Sequence, residues 1–303
     1  MRKITLLDGG VGQEVYKRAG QPDSPMWSAQ MILDQPGLVR EVHRDFIQAG
    51  ARVITINSYS CTPSRLRRDG KVEWFEKLQR QAYEIAASAR DELASGASGV
   101  RIAACLPPLI GSYTTDSRSF PELKSEYEKI VELHASRADL FLIETISNIK
   151  EAKAAVEAAL PAGKPVLLSF TVSENQAGQL RAGEPIEEAV SLLSDYALSG
   201  FLFNCSSPKA ITEALNAVGN PSIPYGGYAN GFTTVDPLRP GGLANRLSAR
   251  LDLDEDTYRD IAMKWVEQGA TLVGGCCEVG PSHIKRISDA LNGKGYHVSA
   301  GFD

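Results

Sequence analysis

Leu140-Phe141-Leu142-Ile143-Glu144-Thr145, then Ile149 to Leu160, then Val166-Leu167-Leu168-Ser169-Phe170, is the stretch that sets the fold. A short apolar run, a longer amphipathic stretch and a second short apolar run read as a strand, a crossover helix and a parallel strand. The same rhythm extends in both directions. Strands are predicted at Ile4 to Leu7, Arg52 to Ile56, Ile102 to Cys105, Leu140 to Ile143, Val166 to Phe170, Phe201 to Phe203, Ile223 to Gly226 and Thr271 to Val273. Helices are predicted at Pro36 to Ala49, Val72 to Ala94, Pro121 to Ala138, Ile149 to Leu160, Pro185 to Tyr196, Pro208 to Ala217, Asp254 to Gln268 and Pro281 to Leu291. Several open with Pro or acidic residues, as first helical turns prefer.

Eight βα units close naturally into a barrel, whereas a doubly wound sheet needs fewer strands or a visible break. The expectation is an α/β chain with residues 1–303 forming a single (β/α)8 TIM barrel with extended βα loops. Two insertions, Ser58 to Lys71 and Ala229 to Leu253, follow the second and seventh strands, at the strand ends where barrel enzymes keep their chemistry. No internal repeat, low-complexity tract or linker divides the chain.

The chain has 303 residues, 43% hydrophobic and 23% charged, which suits one barrel of roughly 250 residues plus extensions. A net charge of −5 argues against a nucleic-acid partner, which needs concentrated Lys and Arg. The run Arg65, Arg67, Arg68 reads as a solvated loop. The apolar stretch after Met1-Arg2-Lys3 is too short for a signal peptide and reads as the first strand. No segment approaches the roughly 18 apolar residues that span a bilayer, so no membrane partner is expected and the chain is placed in the cytoplasm. Oligomeric state stays open, a homo-oligomer included.

Five cysteines, at 61, 105, 205, 276 and 277, form no regular disulfide framework. In a reducing compartment clustered cysteines are more often metal ligands or catalytic thiols. The sixth predicted strand ends Phe203-Asn204-Cys205-Ser206-Ser207-Pro208, and the eighth ends Gly274-Gly275-Cys276-Cys277-Glu278. In a closed barrel these ends are separated only by the seventh strand, so the three thiols converge at one mouth. Gly274 and Gly275 would let the backbone bend so that two adjacent side chains face one centre. Three soft thiolates suit zinc, with Cys205, Cys276 and Cys277 as its ligands. No fourth protein ligand is evident, His283 lying a few residues on in the last helix, and an open position marks a catalytic zinc. Three thiolates leave that zinc a poor activator of water and a good holder of a substrate thiolate. Alkyl transfer to sulfur, from a cationic donor drawn to the anionic centre, is the natural chemistry. Cys61 and Cys105 read as small buried hydrophobes.

Gly274-Gly275-Cys276-Cys277 after the last strand, with Asn204-Cys205 earlier, resembles the homocysteine S-methyltransferase family. The resemblance extends over nearly the whole chain through Leu7-Asp8-Gly9-Gly10, Asn57-Ser58-Tyr59, Phe141-Leu142-Ile143-Glu144-Thr145 and Ser169-Phe170-Thr171. It implies that Cys205, Cys276 and Cys277 bind zinc, that homocysteine sulfur takes the fourth position, and that Asp8 and Glu144 receive its ammonium group. Backbone amides near Gly10 and Val11 are the expected seat of its carboxylate. Turn formation is the competing reading of Asp8, and capping of the following helix that of Glu144. The chain departs from many relatives in carrying Glu278 after the double cysteine, where it would select a cationic donor or point to solvent. Trp27, Tyr228 and Phe232 fall on mouth loops, where aromatic faces cradle a methyl cation.

Three functions are consistent with this sequence. The first is zinc-dependent transfer of methyl from S-methylmethionine, S-adenosylmethionine or betaine to L-homocysteine, forming methionine. The second is the homocysteine-binding component of a split corrinoid-dependent methionine synthase, marked by activity only with a methyl-corrinoid protein. The third is a non-catalytic zinc or thiol-binding protein, marked by binding without turnover.

Overall fold

The computed structural model describes residues 2–22, 24–93, 99–219, 221–235 and 247–302. Its strands are β1 (Lys3–Leu6), β2 (Val53–Thr55), β3 (Arg101–Leu106), β4 (Leu140–Ile146), β5 (Val166–Phe170), β6 (Gly200–Asn204), β7 (Tyr225–Tyr228), β8 (Leu272–Val273) and β9 (His297–Val298). All pairings between neighbours are parallel, in the order β2-β3-β4-β5-β6-β7-β8-β1-β9. The ring closes where Leu7 bridges Val53 in parallel. There Asp8 N–H donates to Val53 O at 2.9 Å and Arg52 N–H to Leu6 O at 2.8 Å. The sheet is therefore the eight-stranded barrel expected, with a ninth short strand on β1.

Parallel strands are covered on both faces, so they carry apolar residues at both alternating positions. One set fills the inside of the barrel, where Val53, Ala103, Leu140, Leu167, Leu202 and Leu272 pack together. The other set, with Ile54, Ile102, Phe141, Ile143, Leu168 and Phe203, meets the helix layer. Ala300 joins the inner cluster and Phe302 packs against it, so the segment after β9 closes the end of the barrel opposite the strand C-termini.

All eight predicted strands form, displaced by at most a few residues at their ends. β9 was not expected, because two residues leave no periodicity to read. The helices Val11–Arg18 and Gln30–Asp34 were also unforeseen. The predicted helix from Val72 begins as a 3₁₀ turn, Val72–Trp74, and continues as an α-helix, Phe75–Glu92; Ala94 lies outside the described residues. Within the insertion after β2, Pro63–Arg68 is helical, capped by Thr62 Oγ1 accepting from Arg65 N–H at 3.2 Å. Arg65 in this helix is only 7% exposed, which corrects its reading as a solvated loop residue. In the insertion after β7, Pro237, Pro240, Gly241 and Gly242 lie outside the described residues.

Candidate active site

Cys205 immediately follows β6, and Cys276 and Cys277 lie three and four residues past β8. Their sulfurs all fall within 4.8 Å of one another, and the Cys205 and Cys276 sulfurs are 2.6 Å apart. Gly274 and Gly275 do not reach this geometry through left-handed backbone. Absence of a side chain is what counts: a Cβ on Gly275 would stand 2.1 Å from Val279 Cγ1, and one on Gly274 2.6 Å from Leu7 Cβ. The left-handed angles belong instead to Cys205, at φ 52°, and Glu278, at φ 67°. Such conformations cost of order 1–3 kcal/mol for residues other than Gly and cluster at functional sites. Thr145 (61°), Tyr113 (60°) and Trp27 (50°) share them, and all three line the same pocket.

The thiols polarise one another. Cys205 is held well below the usual thiol range by hydrogen bonds from Cys276 and Cys277, with Tyr113 Oη adding another at 3.2 Å. Cys276 and Cys277 are pushed up in turn, because each donates to Cys205. His283 takes no part: its Nδ1 accepts from Gly280 N–H at 3.3 Å within the last helix.

Beside the thiols stand two buried carboxyl groups. Asp8 is 4% exposed and accepts from Thr55 N–H at 2.7 Å. Burial drives its pKa well up, opposed by that amide, and the charge of Glu144 adds to the rise. Glu144 is raised to about 7, first by burial, and is opposed by the Cys105 thiol, which donates to it at 2.9 Å. Two buried carboxyl groups in one pocket, the charge of one raising the pKa of the other, are an arrangement that a cation would relieve. The helix after β4 is capped by Asn148, whose Oδ1 accepts from Glu151 N–H at 2.9 Å. Glu144 is therefore free of the capping role.

Asp8, Glu144, the three cysteines, Gly10, Val11, Trp27, Tyr228 and Phe232 all line one pocket, of about 180 Å³, at the C-terminal mouth of the barrel. The amides of Gly10 and Val11 are already engaged, donating to Val279 O at 3.0 Å and Gly9 O at 2.9 Å. Tyr228 is the last residue of β7 and is 3% exposed, not a loop residue.

Residues 5–291 match the family model described as homocysteine S-methyltransferase. The chain belongs to the homocysteine S-methyltransferase family. Homocysteine S-methyltransferase 1 of Zea mays is 29% identical over 96% of this chain and 95% of its own. A selenocysteine methyltransferase of Astragalus bisulcatus is 28% identical over 96% and 93%. The homocysteine methyltransferase MmuM from Escherichia coli, in its metallated form, matches with a TM-score of 0.76 at 26% identity, covering 95% of this chain and 96% of that one. The three-cysteine cluster and the metallated relative together point to a metal site in this methyltransferase.

Several residues of the methyltransferase site escaped the sequence reading. Asn204 is fully buried. Its Oδ1 accepts from Thr145 N–H and Ser169 Oγ, both at 2.8 Å, and its Nδ2 donates to Thr145 Oγ1 at 2.9 Å. It thereby clamps the left-handed Thr145 at the point where the β4–β5 register shifts, fixing the direction of Glu144 beside it. Cys105, read as a packing residue, is the thiol partner of Glu144. The signal was present only as adjacency, since Asn204 precedes Cys205 and Thr145 follows Glu144. Glu278 does not point to solvent and is not one of the residues that line the pocket. It binds Gln13 Nε2 at 2.7 Å and the ammonium of Lys17, with its side chain 7% exposed.

Proposed function

We propose that this enzyme transfers a methyl group from a small cationic donor to the thiol of L-homocysteine, forming methionine, at a zinc ion held by Cys205, Cys276 and Cys277. The observation that carries this reading is the convergence of three cysteine sulfurs within 4.8 Å at the barrel mouth, beside two buried carboxyl groups. All-sulfur ligation suits zinc, and the orphaned indole N–H of Trp27 in the same pocket leaves a polar group for a substrate to satisfy.

Zinc in this site supplies a centre that keeps the substrate sulfur as a nucleophilic thiolate at neutral pH. Asp8 and Glu144, ionised, receive the substrate ammonium and fix the homocysteine backbone. Its carboxylate falls to the next amides of the first helix, those of Gly12 and Gln13, which helix geometry leaves without intrahelical acceptors, since Gly10 and Val11 are already engaged. Tyr113 Oη stabilises the charge on Cys205. Trp27, Tyr228 and Phe232 present aromatic faces to the onium group of the donor. The sulfur lone pair forms the new S–C bond as the methyl–onium bond breaks, and the leaving group departs with that electron pair. Alignment of donor and sulfur, with no general base, is the protein's main contribution.

We further propose that residues 1–303 form one homocysteine-binding domain, supported by the pairing of β9 with β1. A cytoplasmic location is supported by five free cysteines; no helix among the described residues is long and apolar enough to cross a membrane. The test is metal analysis of protein purified under reducing conditions, with methionine formation from homocysteine and a panel of onium donors. One zinc per chain with turnover of a donor supports direct transfer. Zinc with turnover only after a methyl-corrinoid protein is added would replace it with the split-system reading. Zinc and homocysteine binding without any turnover would leave a binding protein.

A further inference from the structure

A buried guanidinium in the pocket wall has no anion opposite it. Arg65 lines the pocket and is 7% exposed. Its Nε and Nη2 both donate to one carbonyl, Pro108 O, at 3.2 and 2.9 Å. Its guanidinium carbon lies 4.8 Å from the centroid of the Tyr59 ring. Both partners are neutral, and no carboxylate among the described residues forms an ion pair with it. Glu151, which feels the charge of Arg65, is occupied with Leu109 N–H and Tyr127 Oη. A buried ion without a counter-ion is costly, and an apolar side chain would fill the same volume without that cost.

A second observation lies on the same wall. The Nε1 of Trp27 is buried without a hydrogen-bond partner, and its ring meets Tyr59 edge-on, with centroids 6.3 Å apart and planes at 79°. Trp27, Tyr59 and Arg65 thus form a row along the pocket, ending in donors that lack an acceptor. The chemistry of methyl transfer supplies one. A permanent positive charge here opposes entry of a donor that carries only an onium group, while the anionic thiolate centre attracts that group. A donor with an onium group at one end and a carboxylate at the other satisfies both.

Given methyl transfer as the function of this pocket, on which the inference rests, we propose that Arg65 is a specificity-determining residue that receives the carboxylate of the methyl donor. The enzyme then takes carboxylate-bearing sulfonium or quaternary ammonium compounds and discriminates against onium donors whose carboxyl group is missing or neutralised. The N–H groups of Arg65 not used by Pro108 are those available to a carboxylate fork.

The test is calorimetric binding to the zinc-loaded full chain, which requires no turnover, using two matched pairs: S-methylmethionine against its carboxamide, and glycine betaine against its carboxamide. The protein is expected to bind at least one acid about 10- to 100-fold more tightly than its amide. Arg65→Gln is expected to erase that preference. Arg65→Lys, which keeps the charge but loses the planar fork, is expected to retain part of it, and zinc content reports that both variants fold. Homocysteine affinity should stay within about twofold in both. The proposal is overturned if acid and amide bind alike, or if Arg65→Gln keeps the preference. It is also overturned if homocysteine binding falls instead, which would put the substrate's own carboxylate on Arg65. Failure of the unsubstituted protein to hold zinc or homocysteine would strike the methyl-transfer function itself, and the proposal with it, and these two measurements tell that failure apart.

Discussion

Replacing Asn204 by Ala tests whether a buried amide that does not line the pocket sets the direction of Glu144. The substitution removes three hydrogen bonds, at 2.8, 2.8 and 2.9 Å, from a fully buried position. At about 1 kcal/mol net for each, the loss is about 3 kcal/mol. Thr145 N–H is also left buried and unpaired, and its left-handed conformation, φ 61°, loses its clamp. The total lies at the upper end of ordinary single-residue effects, about 3 to 5 kcal/mol. Denaturant titration of the zinc-loaded protein reads this directly. Kinetics should show the homocysteine KM rising about tenfold or more, because Glu144 is no longer aimed, while zinc content stays near one per chain since all three sulfurs remain. Adding Thr145→Gly, which accepts φ above zero without strain, should recover part of the stability. A midpoint within about 0.5 kcal/mol of the parent and an unchanged KM would refute the reasoning.

Four other outcomes follow from the same geometry. Glu144, raised to about 7 by burial, binds an ammonium only when ionised, so homocysteine affinity should rise with pH through about 7 and level off above it. Glu144→Gln should flatten that profile and weaken binding at pH 8, as measured by titration at fixed zinc; a profile unchanged by the substitution would exclude the role. The same shift acts on stability with the opposite sign. A carboxyl raised from 4.5 to about 7 in the folded state favours the fold at low pH and loses that contribution as pH rises across this window, so added homocysteine should raise the melting temperature more at pH 8 than at pH 6. Gly10→Ala should lower zinc occupancy with every ligand intact, because its Cβ would stand 2.5 Å from Cys276 O and 2.9 Å from Cys277 Cα; metal analysis checks it, and full occupancy would refute it. Glu278→Gln should leave donor KM within about twofold, since Lys17 already neutralises this carboxylate and Gln13 Nε2 donates to it; a larger change would place Glu278 in the donor site.

The barrel was legible because each strand, buried on both faces, is a short apolar run between amphipathic stretches, and eight such runs permit few closures. The convergence of the three cysteines was legible because strand order alone brings the ends of β6 and β8 to one mouth. What escaped has a common physical cause. Asn204 acts through three hydrogen bonds to residues 35 and 59 positions away, and such pairings leave no periodic trace. Arg65 reads as one of three arginines in a loop, and only its packing on Tyr59 and Pro108 reveals a buried charge. Glu278 could be read as a donor selector or as a solvent-facing residue because the sequence does not show Lys17 reaching it across the seam between β8 and the first helix.

That seam bears on how the protein assembles. The backbone partners of β1 and of Leu7 after it include Thr271, Val273 and Ser299, so this strand stays incomplete until residues nearly 300 positions further on are in place. Contacts of such sequence separation form late. Asp8 stands on one side of this join and Cys276 and Cys277 on the other, which makes the candidate site one of the last parts of the molecule to exist. A partly folded chain cannot present three converging sulfurs, so metal capture reports completion of the ring. A metal held by the three sulfurs would tie Cys205 to Cys276 across 71 residues, and by linkage whatever binds only the closed ring favours it over the open one. Stripping the metal should therefore loosen the β8–β1 join first, and hydrogen exchange at Leu7, Gly275 and Cys276 would be the earliest sign.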